Sequence, residues 1–170
     1  MVLLKKQRFQ FPIVRIDDRL IHGQVVLGWV EPLKIRSLIL AHDTIAHDQD
    51  LKTAIAGILP SHLDFQVLSL KDTAAILNDS QKNKRQMVVV ESPKAMKIIV
   101  ANGGKIDNII IGGLHHQEDR TELLPYVFLS PADISQMNEI VKSGISVTCQ
   151  DLPGSSPVSW DNIMQKLDNR

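Results

Sequence analysis

The chain has 170 residues, 44% of them apolar and 22% charged, a length and balance that suit one folded domain with a substantial core. Lys plus Arg and Asp plus Glu number 19 each, so net charge supplies no attraction to nucleic acid or to an acidic membrane surface. No stretch approaches the ~20 apolar residues of a bilayer-crossing helix, and the single Cys149 forms no internal disulfide, so a soluble cytoplasmic protein is the expectation.

Residues 1–11, with Lys5, Lys6 and Arg8, are too short in apolar run for a signal-peptide core and are read as an N-terminal extension to a domain spanning 12–170. Phe11–Ile16 reads as a strand, and Gly23–Val30 as a helix stopping at Glu31-Pro32. Ile35–Ala41 is a second strand, closed by turn chemistry at His42-Asp43-Thr44. A helix follows from Asp48, with Leu51, Ala54, Ile55, Ile58 and Leu59 spaced for one buried face before Pro60. Leu63–Leu68 alternates as a strand, Ser69 and Asp72 resemble a capping box opening a short helix, and 78–85 is a polar loop.

Met87–Val90 is a continuous apolar run, as expected of a strand covered on both faces. Ser92-Pro93 starts a helix by cap and N1 proline, with Met96, Ile99 and Val100 inward and Asn102-Gly103-Gly104 at its end. Ile109–Ile111 is the fifth strand, with Gly112-Gly113 as the turn beyond it. Ser130-Pro131 repeats the cap for a helix that buries Ile134, Met137, Ile140 and Val141. Ile145–Cys149 is the last strand and Trp160–Leu167 a terminal helix. Such alternation predicts an α/β fold: a single three-layer domain whose mostly parallel central sheet of about six or seven strands carries helices on both faces. In such sheets ligands bind beyond the carboxyl ends of strands.

The loop after the first strand concentrates the chemistry. Ile16-Asp17-Asp18-Arg19-Leu20-Ile21-His22-Gly23-Gln24 places an imidazole, a guanidinium, two carboxylates and a glycine between a strand and a helix start. A neutral imidazole is a nucleophile for phosphorus, and unpaired N–H groups at a helix start disfavour the imidazolium while favouring an attached phosphate. Arg19 offers a planar fork for two phosphate oxygens, and Gly23 keeps a Cβ out of the way. Asp17 or Asp18 is read as holding Arg19 or fixing the imidazole tautomer, with the choice left open. His22 is expected to project into solvent.

Other motifs carry less. Gly23 and Gly28 are spaced like the ends of a P-loop, but Trp29 stands where the lysine is needed, and Trp29 itself reads as core. No G-x-G-x-x-G occurs. His42, His47, His62, His115 and His116 lack paired helical spacing for zinc, so neither metal nor cofactor is expected. Cys149 reads as a small buried hydrophobe.

The run VRIDDRLIHGQVVLGWV resembles the active-site signature of the IIB subunits of the bacterial sugar phosphotransferase system, in the mannose/fructose/sorbose family. Asn108–His115 is similar to that family's strand-Gly-Gly-Met-His segment, with Leu114 in the methionine's place. The resemblance implies that His22 is transiently phosphorylated, with Arg19 as its phosphate-stabilising neighbour. It further implies a phosphohistidine–sugar phosphotransferase that receives phosphate from a IIA protein and passes it to a sugar presented by membrane IIC and IID subunits. Membrane association would then run through those permease subunits. Asp17, Asp18, Gly23, Gln24, Ser92, Gly112 and Gly113 are the expected phosphate-binding rim, Ser92 being a helix cap first, and His115 a further rim candidate. Two other readings stand beside this one: a regulatory phosphoacceptor without sugar transport, and a non-covalent anion-binding module. Oligomeric state is open, a homodimer being one option.

Overall fold

The computed structural model describes residues 8–79 and 85–169. Two five-residue strands buried from end to end, β1 (Ile13–Asp17) and, later in the chain, Gln86–Val90, form the middle of the sheet. After β1 come α1 (Gly23–Val25), a π turn (Val26–Val30) and α2 (Glu31–Leu33) as one continuous helical segment. Then follow β2 (Ser37–Ala41), α3 (Asp43–Ala46), α4 (Gln49–Gly57), β3 (Asp64–Leu68), α5 (Leu70–Leu77), β4 (Gln86–Val90), α6 (Pro93–Ala101) and β5 (Asn108–Gly113). The chain continues through β6 (Thr121–Leu124), β7 (Val127–Leu129), α7 (Pro131–Lys142), β8 (Ser146–Cys149), β9 (Val158–Ser159) and α8 (Trp160–Asp168).

The seven-stranded sheet has the order β3-β2-β4-β1-β5-β8-β9. Its neighbours pair in parallel except β9, which runs antiparallel to β8. Strand periodicity divides the core into two layers. Val14, Ile16, Val88, Val90, Ile109 and Ile111 face α5, α6, α7 and α8 through Leu77, Met96, Ile99, Met137 and Ile163. Ile13, Leu38, Met87, Val89 and Ile110 face the other way, onto Val25, Trp29 and Val30 of the first helical segment. This is the expected three-layer α/β domain. The crossover from β1 runs toward β2 on one side and that from its neighbour β4 runs toward β5 on the other, so the carboxyl ends of β1 and β4 flank the switch point of the sheet.

Four expectations change. Pro32 does not stop the first helix, which runs on to Leu33 before Lys34 turns left-handed at φ 52°. The wider π turn ahead of it moves the carbonyl that a proline ring would otherwise strike. His42-Asp43-Thr44 opens a short helix, because the His42 Nδ1 accepts the Ile45 N–H and caps it. The buried face read into 51–59 is not buried: α4 has no buried residue and Ile58 is 68% exposed. The main packing partner of that helix is the short α3 and not a strand of the sheet, so its apolar face has little to cover it. Gly112 and Gly113 are the end of β5, buried, and not a turn. The hairpin β6–β7, antiparallel and absent from the sequence reading, rises between β5 and α7.

Of the expected N-terminal extension, residues 1–7 lie outside the described residues, as do residues 80–84 of the polar loop. Phe9 and Phe11 pack against the layer containing Trp29. Among the described residues no helix is long and apolar enough to cross a membrane.

The division between buried and open helix faces is measurable. Ile99→Ala, which empties a fully buried position on α6, is expected to cost about 2–5 kcal/mol. Ile58→Ala, at the open end of α4, is expected to change stability by less than about 0.5 kcal/mol; urea denaturation of the two variants checks both.

Candidate functional site

The site is built from the bottom of β1 upward. Arg15 and Asp17 are two apart, so they share one face of the strand, and both are completely buried. The Arg15 Nη2 donates to Asp17 Oδ2 at 2.9 Å and its Nε to the same oxygen at 3.3 Å. Nη1 donates to the Gln150 carbonyl at 3.1 Å. Above it the guanidinium lies over the Trp29 ring, 4.9 Å from the centroid, and the Trp29 Nε1–H donates to the Asp151 carbonyl at 2.8 Å. Room for the guanidinium comes from Gly112, where a Cβ would sit 1.8 Å from Arg15 Cζ. Gly113 is less demanding: its Cβ would lie 3.3 Å from Asp17 Oδ1, a close contact that a small shift would relieve. Gly112 is therefore a spacer for a buried ion pair, and both glycines are themselves buried.

Asp17 then reaches outward. Its Oδ2 lies 3.1 Å from His22 Nε2. A carboxylate only accepts, so Nε2 carries the hydrogen and donates it, which leaves Nδ1 with a lone pair. Among the described residues Nδ1 has no partner. Asp17 Oδ1 accepts the Arg19 N–H at 3.2 Å and its carbonyl accepts the Leu20 N–H at 3.0 Å, while Leu20 adopts φ 57°. That left-handed residue reverses the chain so that His22 returns onto the carboxylate five positions before it. Burial pushes Asp17 upward, but the His22 hydrogen bond and the Arg15 charge outweigh it and hold the carboxyl below its ordinary range. Burial draws Arg15 below the usual arginine value, against the pull of Asp17.

His22 is thus half-buried, its side chain 17% exposed, and not the freely projecting ring expected from sequence. It is also the N-cap of α1, in extended backbone, and makes no side-chain cap. α3, α4, α5, α6, α7 and α8 each have a side-chain acceptor at their start. The first-turn N–H groups of Gly23 and Gln24 are left open to an anion. Gly23 is exposed, and a Cβ there would meet nothing within 4 Å, so the fold itself does not require glycine. Arg19 is exposed, and its guanidinium reaches Gln24 Oε1 at 3.5 Å. Neither aspartate holds that guanidinium, which settles the open choice: Asp17 takes His22, and Arg19 stays available.

Asp18 turns the other way. Its Oδ2 accepts the His115 N–H at 2.7 Å and the Arg120 Nη1 at 3.1 Å, and its Oδ1 accepts from His115 Nδ1. Arg120 continues to Asp133 Oδ2 at 3.1 Å, inside the capping box of α7. As acceptors already engaged by cations and N–H donors, Asp17 and Asp18 position the loop and have no hydrogen to give a phosphate. Ser92 is the N-cap of α6, accepting the Ala95 N–H at 3.1 Å, at the carboxyl end of β4 next to β1. Cys149 is buried, its thiol pushed up to about 12 by burial, as suits an inert core residue. Among the described residues no group of three or more His, Cys, Asp or Glu is placed to hold a metal ion.

Sequence reasoning passed over Arg15, Arg120 and the carbonyls of 150–151. The signal for Arg15 was present: two opposite charges at i and i+2 of an otherwise apolar strand share one buried face. The side chains that Arg120 pairs with lie 102 and 13 positions away, and its one near partner is the His115 carbonyl, a backbone group that no residue pattern announces.

Set against known proteins, residues 11–170 match the family model described as the PTS system sorbose subfamily IIB component. The chain belongs to this IIB family. It is 27% identical over 159 residues to the sorbose-specific EIIB component of Klebsiella pneumoniae, covering 93% of this chain and 95% of that one. The mannose-specific EIIAB component of Escherichia coli K12 is 24% identical over 157 residues, which span 92% of this chain and 49% of that longer protein. The crystal structure of the IIBSor domain of the Klebsiella pneumoniae sorbose permease superposes with a TM-score of 0.78 at 26% identity, over 92% of this chain and 95% of that one. Membership makes this IIB chain a phosphocarrier component of a sugar phosphotransferase system, with a transferase role.

Because the Asp17 pKa is lower folded than unfolded, its contribution to stability is complete above the unfolded carboxylate value and is lost as pH falls through the folded one. Denaturation midpoints are expected to fall as pH drops below about 4. Asp17→Asn should lower stability at pH 7 by about 3–5 kcal/mol, since it leaves Arg15 buried without its counter-charge, and should flatten the acid limb. Urea melts across pH 3–7 measure both.

Proposed function

We propose that His22 is the phosphorylated residue of this IIB component and that Nδ1 is the atom that carries the phosphoryl group. The observation that carries this reading is the 3.1 Å contact between Asp17 Oδ2 and His22 Nε2, which commits one ring nitrogen and frees the other. The donor is the phosphohistidine of a IIA protein. Nδ1 attacks its phosphorus in line, the P–N bond to the donor breaks as the new one forms, and the donor imidazole leaves neutral. Positive charge that builds on the His22 ring is shared through Nε2–H with Asp17, which Arg15 keeps ionised.

The transferred group is held without a metal. Arg19 supplies a mobile guanidinium, and the open N–H groups of Gly23 and Gln24 supply fixed donors at the positive end of the helix. Ser92 keeps its hydroxyl hydrogen for the rim while its oxygen caps α6. In the second step a sugar hydroxyl, presented by membrane IIC and IID subunits, attacks phosphorus and gives up its proton to solvent water as the O–P bond forms; the P–N bond breaks and the His22 ring leaves neutral, with its Nε2–H in place and a lone pair restored on Nδ1. Both partners must approach the same half-covered imidazole, so they use it in turn.

The test is phosphorylation by phosphorylated IIA, followed by mass spectrometry for a gain of about 80 Da, one phosphoryl unit. The native chain should gain it and His22→Ala should not; stoichiometric labelling of that variant would place the acceptor elsewhere. Arg19→Lys should keep its stability, since the side chain is exposed, and slow transfer by at least about tenfold.

A further inference from the structure

The opposite end of the strands holds a second concavity that the phosphoryl site does not use. Arg8, Phe9, Phe11, Pro32, Leu33, Lys34 and Arg85 line a cavity of about 660 Å³. Phe11 precedes β1, Lys34 precedes β2 and Arg85 immediately precedes β4, so the cavity lies at the amino ends of the strands. His22 follows β1 at the carboxyl end, about 16 Å away along a strand of that length.

Three cations converge here in a chain of zero net charge. Among the described residues none of the three is ion-paired to a carboxylate. Arg85 is held rigidly: its Nη1 donates to the Leu33 carbonyl at 2.7 Å, and its guanidinium lies over Phe11, 5.1 Å from the ring centroid. Nε and Nη2 remain for an incoming acceptor. Lys34, at φ 52°, is the left-handed end of α2, and Arg85, at φ 57°, turns the chain into β4, so both cations are set by the backbone that opens a strand or closes a helix here. Phe9 and Phe11 give the same cavity apolar walls. Cations without counter-charges above flat apolar faces suit a ligand with a dianionic head and a ring body.

We propose that this cavity binds a small phosphorylated ring compound, a sugar phosphate or a nucleoside monophosphate. It is separate from the acceptor site at His22 and would stand even if the phosphorylated residue were another one. Its wall is continuous with the ion pair beneath His22, because the Phe9 ring meets Trp29 edge-on at 5.5 Å and Trp29 lies against Arg15. Occupancy that shifts Phe9 is therefore reported by Trp29 fluorescence.

The experiment titrates the full chain, unphosphorylated, with glucose 6-phosphate, with adenosine monophosphate and with inorganic phosphate, read by calorimetry and by Trp29 fluorescence in a Trp160→Phe background. One of the two ring phosphates is expected to saturate below about 1 mM and at least tenfold below inorganic phosphate, with affinity falling as salt rises. The arm that binds identifies the source. Lys34→Gln and Arg8→Gln, both at exposed positions, should each weaken binding several-fold, and Arg85→Gln should weaken it more. Absence of saturable binding by either ring phosphate at about 10 mM, or equal affinity in the Lys34 and Arg85 variants, would overturn the proposal.

Discussion

The Arg15–Asp17 pair at the end of β1 is the constraint on which the rest of the site depends. A carboxylate inside an apolar sheet is stable only if its charge is met at close range, and here one oxygen accepts two guanidinium N–H groups. Having been stabilised as an anion below the surface, Asp17 can hold the imidazole above it in one tautomer. The ring nitrogen left with a free lone pair is therefore chosen by a residue that is itself fixed by a residue no solvent reaches.

That pair shapes its surroundings in turn. Gly112 stands where a methyl group would collide with Arg15 Cζ, so β5 carries a glycine at that position. Trp29 covers the guanidinium and ties the helix to the Asp151 carbonyl. Gly28, in the π turn, leaves room for Leu152, whose side chain lies 2.5 Å from where a Cβ would be. The segment 150–152, the first helix and β5 thus close around one charge pair. On the other side of the loop, Asp18, His115, Arg120 and Asp133 link β1 to β5, the β6–β7 hairpin and α7. Two consecutive aspartates serve different directions: Asp17 holds the imidazole, and Asp18 holds the loop.

Much of this was legible in the residues, and the failures have physical causes. Strand runs such as Met87–Val90 and caps such as Ser92-Pro93 and Ser130-Pro131 specify their elements locally, so order and type of the central elements were readable. The family signature marked the loop that bears His22. The supposed buried face of α4 failed because periodicity tells which residues share a face but not whether anything covers it. The glycines after Ile111 were read as a turn because glycine is usually a conformational signal, whereas here it is a matter of volume. Contacts such as Arg120 with Asp18 join distant parts of the chain, and no local pattern encodes them. The assignment of the two aspartates needed the left-handed turn at Leu20, which the sequence does not announce.

The central claim is that a buried ion pair selects one nitrogen of His22 for phosphorylation. Its most direct test is heteronuclear NMR of the chain labelled with nitrogen-15 at histidine and phosphorylated by its IIA donor. The account predicts phosphorus coupling to Nδ1 of His22, with a protonated Nε2 whose hydrogen is retained against Asp17. Phosphorus coupled to Nε2, or to any histidine other than His22, would contradict it.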